Sequence, residues 1–96
     1  MNPGLSGLEE VLTLSEQMVG AARSGDWQEL TRLEDRRRAL AGTLPADLGQ
    51  HLRTAEQARA RRLIEASRHC DDQVRPLVTA RLKELRTLLR AAEPAS

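Results

Sequence analysis

The side chains in this 96-residue chain that could do chemistry are His51, His69, Cys70 and the adjacent carboxylates Asp71 and Asp72. His69 and Cys70 are neighbours, and on a helix neighbours diverge by about 100°, so the two cannot close on one metal ion. The chain holds no Cys-x-x-Cys pair, no histidines at i and i+4, and no glycine-rich phosphate loop. Cys70 falls on an apolar helical face and reads as a small buried hydrophobe. His51 reads as a solvated surface residue, and Asp71-Asp72 as a surface or capping feature rather than a general acid and base. The expectation is a protein that is not an enzyme and uses neither metal nor cofactor.

Composition points the same way. The chain is 40% apolar and 30% charged, with Trp27 its one aromatic residue, which is the make-up of a helix bundle or coiled coil. Fifteen basic against fourteen acidic residues leave a net charge of +1, a poor basis for phosphate contacts. Locally, Arg53, Arg59, Arg61 and Arg62 against Glu56 form a weakly basic segment. It reads first as a solvated face and only then as a nucleic-acid patch. No apolar run approaches the length of a membrane span. Met1-Asn2-Pro3-Gly4 lacks the basic and apolar regions of a signal peptide. A single cysteine cannot form an internal disulfide, so the expected compartment is the reducing cytoplasm.

Three helices are expected to carry these residues. Residues 1–5 should fray. Ser6 and Glu9 have capping-box spacing, and Leu8, Val11, Leu12, Met18, Val19 and Ala22 follow at helical spacing, giving helix 1 at about 7–23. At Ser24-Gly25-Asp26-Trp27, glycine closes one helix, and Asp26 with Glu29 caps the next. Trp27 should wedge the corner. Helix 2 runs to about Gly42 along Leu30, Leu33, Leu40 and Leu44, with Arg37 where another hydrophobe is expected and Glu34 and Asp35 as local partners for Arg37 and Arg38. Pro45 ends it, and the short connection predicts that helices 2 and 3 are antiparallel neighbours.

Helix 3 is expected from about Asp47 to Ala92, roughly 69 Å if straight, with a kink or break near Pro76. Residues 93–96 should fray. With Leu63 at zero and 100° per residue, Ala66, Cys70, Val74, Leu77, Leu85, Leu88 and Ala92 lie within about 60° of zero. Ile64, Val78, Leu82 and Leu89 form a second stripe near 80°, with Arg68, Asp71 and Arg75 alongside. The combined arc of about 160° is wider than one neighbouring helix covers. The second stripe is therefore the candidate partner-binding face, although two bundle neighbours or a second copy of the chain would also use that width. The fold class is all-α, an antiparallel bundle of three helices with an overlong third. The part beyond about Leu63 should lie bare unless a second chain covers it, helix 1 swings along it, or the helix breaks at Pro76. A homodimer is the expected solution.

Three stretches in order resemble the FliT family of flagellar export chaperones. These are Leu14-Ser15-Glu16-Gln17-Met18 leading to Ser24-Gly25-Asp26-Trp27, then Leu33-Glu34-Asp35-Arg36-Arg37, then Leu77-Val78-Thr79-Ala80-Arg81-Leu82-Lys83-Glu84-Leu85. The resemblance spans residues 12–89. It implies a small cytoplasmic helical protein that binds the carboxy-terminal segment of the filament-cap protein FliD, keeps it unassembled, and hands it to the type III export machinery. Some relatives also bind export-ATPase components and a flagellar transcription activator, and carry a fourth helix that masks their binding surface; these 96 residues hold no such helix. The alternative reading is a structural coiled-coil or adaptor protein that self-associates through its long helix.

Overall fold

The computed structural model describes residues 2–94 as three helices, α1 (Pro3–Ser24), α2 (Trp27–Ala41) and α3 (Thr54–Ala92), with a 3-10 turn at Leu48–His51 between the last two. No strand occurs among the described residues. The expectations for Met1, Ala95 and Ser96 lie outside them. Pro94 follows the extended Glu93 (φ −67°, ψ 134°), so α3 stops where a residue before proline must leave the helix.

α1 starts earlier than its periodicity suggested. Asn2 is the cap, its Oδ1 accepting from Gly4 N–H at 2.8 Å, and Pro3 opens the first turn, where its missing donor costs nothing. Ser6 is inside the helix rather than capping it. At the other end Gly25 adopts φ 73°, and the Asp26 N–H donates to Ala21 C=O at 2.9 Å, closing α1 with a left-handed cap. Asp26 caps α2 by accepting from Glu29 N–H at 3.1 Å. Glu29 does not return the bond, because its carboxylate is taken by Arg32.

The helices are organised around α1, not around the long α3. α2 and α3 each pack on α1 and only weakly on each other, so the expected close pairing of helices 2 and 3 is not found. α1 is suited to the centre because Ala21 and Ala22 let helices approach, while Leu14, Met18 and Val19 fill the space with Leu30, Leu33, Cys70 and Val74. α2 returns antiparallel from Gly25. α3 runs parallel to α1: Arg59 bonds Glu9 near the start of both helices, and Arg23 bonds Gln73 further along. The bundle is therefore up-down-up.

α2, at 15 residues, is too short to cover the first turns of α1. The linker covers them instead. Leu44 sits against Gly7, where a Cβ would lie 2.5 Å from Leu44 Cδ2, and Leu48 sits against Gly4, where a Cβ would overlap it. Leu52 is buried with Leu5, Leu8, Ala60 and Leu63 in a second core. This is why α3 begins at Thr54 and not at Asp47: Leu52 must turn inward, so Leu52 and Arg53 are extended. Gln57 Nε2 then donates to the carbonyls of Gly49 (3.0 Å) and Leu52 (3.1 Å).

α3 continues through Pro76 without a break. Because α1 runs alongside it, Leu63, Cys70 and Val74 are buried, and the bare stretch starts beyond Arg81 rather than beyond Leu63. At 39 residues, α3 spans roughly 58 Å of a molecule 65 × 20 × 18 Å.

The corner at Gly25 supplies a direct check. Gly25→Ala places a β-carbon on a left-handed backbone and should cost about 1 kcal/mol. For a domain of this size, thermal melting followed by circular dichroism should show the midpoint falling by roughly 4–8 °C.

Candidate partner-binding groove

Since α2 and α3 diverge over α1, a groove opens between them. Leu8 and Val11 of α1 form its floor, Glu34, Arg37, Arg38 and Ala41 one wall, and Ile64, Ser67, Arg68 and Asp71 the other; its volume is about 420 Å³. A second hollow of about 490 Å³ adjoins it and shares Leu8 and Ile64, with Leu48, Leu52 and Ala60 as its apolar lining. Together they make a trough, charged at one end and apolar at the other.

The charged end is closed by a joint between all three helices. Ser15, fully buried, donates to Val11 C=O at 2.8 Å and accepts from Arg37 Nη1 at 3.0 Å. The same Nη1 meets Asp71 Oδ1 at 2.6 Å. Arg37 thus reaches across α1 to α3 instead of pairing with Glu34 or Asp35, both of which go to Arg38. The apparent misfit of an arginine in the leucine stripe of α2 is this joint.

The face expected along α3 divides into separate parts. Ile64, Arg68 and Asp71 line the groove. Asp71, expected to contact a partner, is held internally by Arg37. Arg68 makes no ion pair among the described residues. Arg75 is exposed and pairs with Asp72 at 3.0 Å, away from the groove. Val78 is half-buried and packs against the main core with Leu77 and Trp27, so it is not a free recognition residue. Leu82 and Leu89 lie on the bare end of α3, 47% and 66% exposed. The reason is positional: Arg81 lies over the Trp27 ring at 5.9 Å, so the α1–α2 corner reaches that level of α3 and covers Val78 but not Leu82.

Leu8, Val11, Ala41, Leu48 and Leu52 were missed as groove residues. The four-residue spacing of Leu44, Leu48 and Leu52 carried a signal, because such a row in a linker must pack on something.

The residues that first suggested chemistry are placed apart. Cys70 is buried between α1 and α3, and burial, helped by the charges of Glu16 and Asp71, pushes its thiol pKa up, away from the reactive thiolate. His51 Nε2 lies 2.9 Å from Asp47 Oδ2 on the exposed linker, and that bond lowers the Asp47 pKa. Among the described residues no group of three or more His, Cys, Asp or Glu is placed to hold a metal ion, and no helix is long and apolar enough to cross a membrane.

Urea denaturation should separate these placements. Val78→Asp should cost at least about 2 kcal/mol, because it sets a charge against the core, while Leu82→Asp stays within about 0.5 kcal/mol. A double-mutant cycle on Arg37→Ala and Asp71→Ala should give a coupling of about 1 kcal/mol, since both groups are only partly shielded. No coupling would show that the joint is ornamental.

Compared with known proteins, the chain matches the family described as "Flagellar protein FliT" over residues 5–95. No curated protein and no solved structure matches it.

Proposed function

The chain belongs to the FliT family of flagellar export chaperones, and from that premise we propose that it captures the carboxy-terminal segment of the filament-cap protein FliD as an amphipathic helix in the groove between α2 and α3. The observation that carries this reading is the trough itself, with its floor of Leu8 and Val11, its apolar extension at Leu48, Leu52 and Ala60, and its charged lip. A helix laid in such a groove anchors its apolar side chains at i, i+3, i+4 and i+7. Ile64, shared by both hollows and 39% exposed, is placed to meet the central anchor. Arg68, which has no internal carboxylate, is placed to take one from the guest.

The mechanism is competition. A segment bound in the groove cannot make subunit–subunit contacts, so the cap protein stays unassembled until the cytoplasmic export machinery removes it. Export-ATPase components are a second class of partner that family membership suggests. The other reading is an adaptor that self-associates into a homodimer through its long helix. Its support is the row of exposed leucines at the end of α3.

Titration calorimetry with a peptide of the cap protein's carboxy-terminal segment tests the groove. Wild type should bind one peptide per chain. Ile64→Glu should weaken binding about tenfold or more with an unchanged melting curve, since Ile64 is exposed. Undiminished binding by that variant would take the groove out of the reading.

A further inference from the structure

The fold divides the basic segment of the sequence. Arg53 precedes α3, and Arg59 goes to Glu9 at 2.7 Å. Arg62 is exposed about 160° round α3 from Ile64, on the far side from the groove. Arg61 does not go with them. It lines the apolar hollow, and Arg68, seven residues on, lines the charged one. Two turns of helix set the pair about 10.5 Å apart, with Ile64 between them and within about 60° of both. Both arginines are exposed, and neither makes an ion pair among the described residues. The carboxylates of the trough are already engaged, Glu34 with Arg38 at 2.9 Å and Asp71 with Arg37 at 2.6 Å. Glu65 lies about 40–60° beyond the two arginines, on the side away from Ile64. It lines neither hollow and pairs with neither arginine. Four arginines therefore face two carboxylates across the trough, and the surplus positive charge stands on the α3 wall.

We infer, on the footing of the groove reading above, that the guest is an amphipathic helix with one acidic flank, and that Arg61 and Arg68 select two of its carboxylates seven residues apart. A guest anchored by an apolar side chain on Ile64 carries these carboxylates three residues before the anchor and four after it. Those two positions share one flank of a helix, about 40–60° from the anchor. The α2 wall offers the other flank only arginines that are already paired. Charge therefore decides which flank of the guest lies against α3. An amphipathic helix turned end for end in a groove exchanges its flanks, so the same two arginines also fix the direction in which the guest lies. A phosphate backbone is a poorer occupant, because it leaves the apolar floor of Leu8, Val11 and Leu52 uncovered.

Three labelled synthetic helical peptides with one leucine row serve as probes, titrated into the full chain and followed by fluorescence anisotropy. The first has glutamates three residues before and four after the central leucine. The second has the same glutamates moved one position on, to the outward face, and the third has lysines in place of the first pair. The first should bind about fivefold or more tightly than either of the others, and added salt should shrink the gap. Arg61→Gln with Arg68→Gln should bring the two glutamate peptides to equal affinity with an unchanged melting curve, since both side chains are exposed and unpaired. Arg61→Glu with Arg68→Glu should favour the lysine peptide. Arg62→Glu, the same change of charge on the far face, should keep the wild-type preference. Ile64→Gln removes the anchor without adding a charge and should lose all three peptides. If it does so while wild type binds both glutamate peptides equally, the groove stands and this inference falls. Binding that persists in Ile64→Gln would remove the groove and the inference together. A preference that survives the double glutamine variant, or is lost in Arg62→Glu, would show that the two arginines do not select the guest. Sedimentation equilibrium showing a dimer that the double glutamine variant abolishes would also overturn the inference, since the trough would then hold a second copy of the chain.

Discussion

The interaction on which the arrangement depends is the contact of one arginine with two helices at once. Arg37 leaves α2, passes the buried hydroxyl of Ser15 on α1, and ends on Asp71 of α3. A serine suits that position because its small side chain leaves the passage open and its hydroxyl gives the guanidinium a second acceptor beside Asp71. Pairs that are only partly shielded contribute little free energy. The value of this one is geometric. α2 and α3 also meet at the corner, where Arg81 lies over Trp27, and the Arg37–Asp71 pair ties them together at the groove itself. A leucine at position 37 would fit the stripe of α2 and would favour collapse of α2 onto α3.

Much of the fold was legible in the residues. The corner at Gly25, the line of Cys70, Val74 and Leu77, and the persistence of the apolar phase through Pro76 all follow from local rules. The central position of α1 did not. Periodicity reports that a face is apolar, not which neighbour will cover it, and the longest helix drew attention away from the one with small residues on two sides. Gly4 and Gly7 look like ordinary helix-weakening residues until Leu48 and Leu44 are seen against them. The start of α3 was misplaced for a related reason. Leu48 and Leu52 have helical spacing, but they serve the amino-terminal end of α1, and the chain has to straighten between them and Thr54.

The groove was partly legible. A stripe offset from the core line does lead to the groove at Ile64, Arg68 and Asp71. A stripe on one helix is nevertheless a projection onto a cylinder, and it does not show where neighbouring helices end. Val78 and Leu82 are close on that projection and different in fact, because the Trp27 corner stops between them. The wall and floor contributed by α1, α2 and the linker were out of reach of any reading confined to α3.

The parallel pairing of α1 with α3 has a consequence for the order of assembly. Glu9 meets Arg59, and Arg23 meets Gln73, each across fifty positions. α1 and α2 touch through a tight corner and can close as a hairpin while the chain is still being made. The seam with α3 must wait for the second half of the sequence. Until then Leu5, Leu8, Met18 and their neighbours have no cover on that side. For a helical protein this is a long loop to close, and it makes docking of α3 the late event. A nascent chain stalled near Ala58 would present an uncovered apolar face of its own, and would need shelter of the kind its finished form is built to give.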